Sequence, residues 1–507
     1  MVDRRTGALW ALFGAIAVVS SVLVLRRPPA ERLSDLHIYY GAAQTVQSGQ
    51  PLYGYVADNG GPFTYPPFAV LLMRPLTVFP EGAVQVAWLA LVCAAVAAIG
   101  YAVARPAGGL VAAAACVVLL SAPAQSNLRF GQVSVFIVLL ALVDAVGLTP
   151  ARWRGVLVGV AAAVKLTPLL FVVYFLLAGR YRDAGRAALA FAGCAALAAA
   201  VLPADSWTYW TGTVTQTSRI GNLASLGNQS VHGMLMRVGV DAGTLPLLWA
   251  ALVAVICGTA LWRARQLWRE EHPVRAAVLV GCASVAASPV SWTHHQVWTV
   301  LAAMLLVATN GVAQRVAGLA LLAAMTVSLG ALLRDVSTYP GVQFALENAR
   351  TFGAVAVCLA GFGGVAAVAA HGRRRAGLRV ASVAAAVVAG FVVLPLPAGA
   401  DPTFKAYTLA DAGNPRYFFA SPYLRAGAAP VEFGVAREPT KVRVNGVVGA
   451  AVTRLEYRSA PGGAARAVPL VEYTAGQREF SFRSATLAHG RLLAYGADGA
   501  VLSTSTF

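Results

Sequence analysis

Charge is scarce in these 507 residues. Only 12% are Asp, Glu, Lys or Arg, against roughly 25% in an ordinary soluble domain, while 58% are hydrophobic and mean hydropathy is +0.67. That scarcity excludes a soluble globular protein and leaves a chain that crosses a membrane many times. Acids are scarcer still, 21 against 39 basic residues, and Lys occurs only at 165, 405 and 441. A net charge of +18 would suit nucleic acid if it were clustered. Here the arginines fall in short stretches between apolar runs, which is topology signalling at a membrane face, so no nucleic-acid partner is expected. The six cysteines (Cys93, Cys116, Cys194, Cys257, Cys282 and Cys358) all lie inside apolar runs, with neither a disulfide framework nor metal-ligand spacing. There is no Walker loop, no Rossmann glycine fingerprint, no serine triad and no solenoid-like period, so nucleotide-dependent chemistry lacks its residues.

What is present is a series of apolar runs, each near the ~20 residues a span needs. Candidates are 7–25, 83–104, 108–124, 133–147, 184–202, 243–262, 274–290, 295–308, 312–332, 351–370 and 378–396. The first has no small-residue cleavage site behind it and reads as an uncleaved span. The run 155–178 is interrupted by Lys165 and Pro168 in "AVKLTPLLF". It is one broken span or a re-entrant helix pair, and charge decides. With the N-terminus inside, one set of loops collects Arg4, Arg5, Arg105, Arg152, Arg154, Arg263, Arg265, Arg269, Arg275, Arg315, Arg373, Arg374, Arg375 and Arg379. Arg180, Arg182 and Arg186 join that set only if the run returns to its starting side, with Lys165 at its outer tip.

Past residue 400 the pattern changes to alternating apolar and polar residues between turns such as "APGG" and "GADG". This predicts a small antiparallel β domain resembling a sandwich over 400–507, outside the membrane after eleven spans and behind an all-α membrane domain of residues 1–399.

The unusual polar residues gather on the outer side of this topology. Asp35 follows the first span, with Tyr39 behind it, and "FTYPP" carries Tyr65 in a rigid turn. "SNLRFGQVSVF" brings Arg129 and Gln132 to a helix start, and the interrupted run supplies Lys165. "GNQSVHGMLMR" supplies Asn228 and Arg237, and "SPVSWTHHQVW" supplies His294 and His295. Each has a plainer reading. Asp35 alone would be a solvated helix cap, Lys165 a snorkelling cation, and the aromatics of "DSWTYW" an interfacial belt. Asp144, near an inner helix end, reads as a snorkelled and silent acid. Adjacent histidines point to different faces of a helix, so no metal site is read there, and no cofactor is implied.

Convergence on one face changes the weighing. One carboxylate base, several cations and sugar-stacking aromatics suit transfer of a sugar from a lipid phosphate to a hydroxyl. Two other classes compete. A transporter or flippase for an anionic or glycolipid substrate would carry its ionisable groups near the bilayer midplane, often with paired repeats, and no repeat is visible. A scaffold displaying the β domain explains the C-terminus but not the polar motifs.

Asp35-x-x-x-Tyr39, "SGQPLY", "FTYPP", "FGQVS", "AAAVKLTPLL", "GNQSVHGMLMR" and "SPVSWTHHQVW" occur in that order over residues 30–330. The series resembles the bacterial polyprenyl-phosphate-sugar-dependent transferases of glycosyltransferase family 87. The resemblance implies a GT-C membrane fold in the bacterial plasma membrane, with the site outside. It implies inverting transfer of mannose from polyprenyl-phosphate-mannose to a cell-envelope glycolipid or glycan, with Asp35 as general base. A histidine of "WTHH" would then sit near donor phosphate or acceptor. The β domain is not a general feature of that family.

Overall fold

The computed structural model describes residues 4–27, 32–57, 61–104, 111–216, 220, 223, 225–238, 240, 243–329, 340–362, 430–437, 442–459, 463–474, 477–484 and 490–506. The expected span 378–396 and the loop residues Arg105, Arg373, Arg374, Arg375 and Arg379 lie outside the described residues.

The first half of the chain is helical: α1 (Arg4–Leu25), α2 (Ser34–Gln47), α3 (Pro67–Met73), α4 (Glu81–Ala104), α5 (Val111–Leu120), α6 (Ala122–Phe130), α7 (Ser134–Ala145), α8 (Val156–Val164) and α9 (Leu169–Leu177). Then follow α10 (Tyr181–Val201), α11 (Pro203–Thr211), α12 (Val231–Arg237), α13 (Leu245–Arg269), α14 (Pro273–Ala287), α15 (Val297–Val307), α16 (Val312–Thr326), α17 (Pro340–Glu347) and α18 (Ala349–Ala360). Among the described residues, α1, α4, α10 and α13 are long and apolar enough to cross a membrane alone. Their outward faces carry exposed Val18, Leu23, Leu189 and Leu247, surface that favours lipid over water.

The run 108–124, expected as one span, is instead broken. α5 and α6 meet at 65°, because Ser121 caps α6 by accepting from Ala124 N, and Pro123 stands in its first turn. The shorter apolar helices α7, α14, α15, α16 and α18 hold 11 to 15 residues, below the ~20 of a full span. Several apolar runs therefore end in turns that present polar side chains at one end of the bundle.

The interrupted run shows how that works. α8 ends at Lys165, whose extended backbone, followed by Pro168, separates it from α9. The end of α9 then comes back beside the start of α8. Arg180 donates to Ala145 O (2.6 Å) and Asp144 O (3.2 Å), and its guanidinium lies over the Phe175 and Trp268 rings. Asp144 is not a snorkelled acid: it is fully buried, and Oδ2 accepts from Gly155 N (2.9 Å) and Val158 N (3.1 Å). These are N–H groups of the first turn of α8 that have no partner within the helix, and a carboxylate suits that positive end. α10 packs along α8 so closely that a Cβ on Gly159 would meet Ala187 O and the Ala190 side chain.

Residues 431–506 form two four-stranded antiparallel sheets, ordered β1-β2-β6-β5 and β4-β3-β7-β8. The strands are β1 (Val431–Arg437), β2 (Val442–Val448), β3 (Arg454–Arg458), β4 (Arg466–Val468), β5 (Val471–Thr474), β6 (Gln477–Ser484), β7 (Arg491–Tyr495) and β8 (Val501–Thr506). One core joins both sheets: Val444, Phe480 and Phe482 from the first meet Leu455, Tyr457 and Leu492 from the second, with Tyr457 and Phe482 rings 4.5 Å apart. This is the alternation that the sequence predicts, inward residues from two faces closing over a shared interior.

Candidate active site

Asp35 stands in the first turn of α2. Leu33 precedes it in a left-handed conformation (φ 45°) and donates its N–H to Arg129 O (2.9 Å). His37 Nδ1 meets Glu81 Oε1 at 2.9 Å, and Tyr40 OH donates to Phe79 O (2.9 Å), so α2 is braced along its length. The start of α2 also rests against Gly131, the residue that ends α6 at φ +67°. A Cβ there would lie 2.6 Å from Leu36 Cβ. Glycine is required at that position twice over, by the backbone angle and by the close approach. The next residue is Gln132, so the "FGQ" motif brings a side-chain amide against Asp35.

Gln132 links the acid to the tyrosines. Its Nε2 donates to Asp35 Oδ2, while its Oε1 accepts from Tyr39 OH and Tyr65 OH, each at 3.1 Å. With two hydroxyls on its oxygen, the amide can only offer N–H to Asp35, which fixes the carboxylate as acceptor. The Tyr39 and Tyr65 rings pack 5.5 Å apart, and Phe63 sits edge-on to both. Asp35 is half-buried. Burial lifts its carboxyl to about 6, opposed by the Gln132 hydrogen bond and the Lys165 charge. A carboxylate tuned toward neutrality is what a general base needs.

Lys165 lies over the Tyr65 ring, 5.2 Å from its centroid, and Nζ is 2.5 Å from His295 Nε2. His295 Nδ1 accepts from Trp292 N (3.1 Å), and the His294 ring stands perpendicular to it at 4.4 Å. Burial, reinforced by the Lys165 charge, pushes both imidazoles well below their ordinary value, so both rings are neutral at pH 7. Five separate junctions therefore converge: α1–α2, α2–α3, α6–α7, α8–α9 and α14–α15.

Sequence reading missed Ser126 and Asn127, two of the residues that hold the histidine turn. Asn127 Nδ2 donates to His294 O (2.9 Å) while its Oδ1 accepts from Val135 N, and Ser126 Oγ lies 3.5 Å from His294 Nδ1. Arg350 donates to Thr293 Oγ1 (3.1 Å) and Ala324 O (2.8 Å). Ser126 and Asn127 lie within "SNLRFGQ", but the His294 that both meet is more than 160 residues away, which no local signal announces.

The remaining candidates stand differently. The Arg129 guanidinium sits 4.9 Å over Phe130, and the Arg129 backbone O accepts from Leu33 N, two residues before Asp35. Asn228 and Arg237 belong to an adjoining buried network. Asn228 Oδ1 accepts from Ser291 N (2.8 Å), so it orients the strand leading into Trp292–His295. Arg237 donates to Asn348 Oδ1, Ser225 O (2.8 Å) and Asn228 O (2.9 Å). Burial lowers its guanidinium to about 10, opposed by Glu347. Among the described residues there is no group of three His, Cys, Asp or Glu placed to share a metal ion.

A bundle of apolar helices thus brings one acid, one lysine, two histidines and several aromatic rings together, groups that a membrane-embedded group-transfer enzyme would use. Comparison with known proteins gives the family: glycosyltransferase family 87 matches residues 63–289, which include Tyr65, Arg129, Gln132, Lys165, Asn228 and Arg237. Asp35 and Tyr39 precede that stretch, and His294 and His295 follow it. A polyprenol-phosphate-mannose-dependent alpha-(1-2)-phosphatidylinositol mannoside mannosyltransferase of Mycobacterium tuberculosis (strain ATCC 25618 / H37Rv) is 34% identical over 317 residues, 57% of this chain and 73% of the relative. The pentamannoside-directed and mannoside-directed enzymes of Mycolicibacterium smegmatis are each 33% identical, over 54% and 52% of this chain and 69% and 67% of their own lengths. No solved structure matches. The chain belongs to glycosyltransferase family 87.

Proposed function

We propose that this protein transfers mannose from polyprenyl-phosphate-mannose to a hydroxyl of a mannosylated phosphatidylinositol or related envelope glycan, with inversion at the anomeric carbon. Asp35 takes the proton of the acceptor hydroxyl as its oxygen attacks. The bond between the anomeric carbon and the phosphate oxygen breaks, and the phosphate leaves with the electron pair. Lys165 and the histidine N–H groups meet the charge that develops there. Tyr39 and Tyr65 hold Gln132, and through it the Asp35 carboxylate, while offering aromatic faces to the sugar. Arg129 stands beside this group as a further cation toward the phosphate. The relatives named above support the donor and the sugar. The observation that carries the residue roles is the continuous chain of contacts from Asp35 through Gln132 and Tyr65 to Lys165 and His295.

The same reading assigns the sides. The bundle end opposite the site holds Arg152, Arg154 and Arg180 beside Asp144, as a cytoplasmic end does. The α8–α9 pair is then re-entrant, eleven spans complete the membrane domain, and the site and the β domain lie outside the plasma membrane.

The test is incubation of membranes holding the protein with radiolabelled polyprenyl-phosphate-mannose and phosphatidylinositol mannosides. Label should enter the acceptor with the wild type and not with Asp35→Asn. Absence of transfer by the wild type refutes the proposal.

A further inference from the structure

A cavity of about 460 Å³ lies near this site, walled by the turn at Pro51, Tyr53 and Gly54 and by α11 with the residues after it. Its volume falls within the ~300–1,000 Å³ of small-molecule sites. The wall chemistry selects the ligand. Thr208, Thr211, Thr213 and Gln216 offer hydroxyl and amide groups, and Asp205 offers a carboxylate. Asp205 Oδ1 accepts from Leu52 N (2.9 Å), which uses one of the several acceptor positions a carboxylate has. Among the described residues of the wall there is no Lys or Arg. The Trp207 indole, 73% exposed, presents an aromatic surface at the rim. An aromatic surface beside neutral donors and acceptors and one acid fits a sugar, whose C–H face stacks and whose hydroxyls both donate and accept.

One wall residue, Tyr53, links the cavity to the catalytic cluster. It stacks on Tyr209 at 5.7 Å and donates its hydroxyl to Tyr65 O (2.8 Å). Tyr65 in turn donates to Gln132, the partner of Asp35.

We propose that this cavity is a subsite for an uncharged hexose unit of the acceptor glycan, set back from the hydroxyl that Asp35 deprotonates. This rests on the transferase reading above. It adds a place where acceptor length and identity are read, separate from the donor phosphate.

The experiment measures KM for phosphatidylinositol mannoside and for polyprenyl-phosphate-mannose separately, with the full chain in detergent micelles. Trp207→Ala and Gln216→Ala change exposed side chains, so folding is not at risk. Acceptor KM should rise about tenfold in Trp207→Ala, and severalfold in Gln216→Ala, with kcat at saturating acceptor and donor KM unchanged. Trp207→Phe should recover most of the acceptor affinity. Unchanged acceptor KM in both variants overturns the subsite. An equal rise in donor and acceptor KM also overturns it, because it makes Trp207 a bilayer anchor common to both lipids. A wild type inert toward both substrates overturns the transferase reading and the subsite with it, whereas active enzyme with unaltered variants overturns the subsite alone.

Discussion

Lys165 Nζ and His295 Nε2 face each other at 2.5 Å across 130 residues of sequence. His295 Nδ1 already accepts from Trp292 N, so the proton of the neutral ring is on Nε2, the atom that meets Lys165. In the proposed reaction an arriving donor phosphate would separate this close pair and draw the Lys165 ammonium to itself.

Lys165→Ala should therefore weaken use of the donor while the protein still inserts and folds. A charge-assisted hydrogen bond is worth about 1.5–3 kcal/mol, so donor turnover should fall roughly ten- to a hundredfold. Steady-state rates against donor concentration measure it. A wild-type rate would mean that Lys165 serves only to orient His295.

Gly131→Ala tests how the acid is positioned. The left-handed backbone alone costs an L-residue about 1–2 kcal/mol. The added methyl also meets Leu36 and Leu33, so α2 must shift away from α6 and carry Asp35 off Gln132. Both midpoint temperature and kcat should drop, while Gly179→Ala, where nothing crowds the added atom, should leave kcat intact. Normal activity in Gly131→Ala would show that the α2–α6 contact does not hold the carboxylate.

Sidedness has its own test. A reporter fused after residue 400 should read as extracytoplasmic, and one after Arg180 as cytoplasmic. A cytoplasmic C-terminus would overturn the span count and invert the assignment of the site.

How much of this was legible beforehand differs by residue. Asp35, Lys165 and the histidines stand out because ionisable side chains beside apolar runs are costly without a task. The return of α9 toward α8 was readable from Arg180, Arg182 and Arg186, because charge asymmetry reports on a whole loop at once. The break in 108–124 had its signal in Ser121-Ala122-Pro123, a capping residue with an early proline, overridden by the hydropathy around it. Asp144 was misread because an acid at a helix end looks the same in sequence whether it meets water or caps the next helix. Asn228 and Arg237 were singled out by type, whereas their saturated hydrogen bonds exist only once α12, α17 and α18 are packed.

The final prediction concerns pH. As a general base Asp35 works only when ionised, and burial lifts its carboxyl from 3.8 to about 6. The kcat/KM profile should therefore lose activity on the acid side below about 6, reaching about a tenth of its plateau near pH 5. Two neighbours pull that value down, the Gln132 N–H and the Lys165 charge. Removing either stabilises the protonated acid relative to the carboxylate, so Gln132→Ala and Lys165→Met should each move the acid limb to higher pH. Asp35→Asn keeps the size of the side chain but cannot take a proton. Turnover should fall about a hundredfold or more, and the acid limb near 6 should vanish from whatever rate remains. Donor binding should persist in that variant, separating chemistry from recognition. An acid limb that survives Asp35→Asn unchanged would assign the titration, and with it the base, to another group.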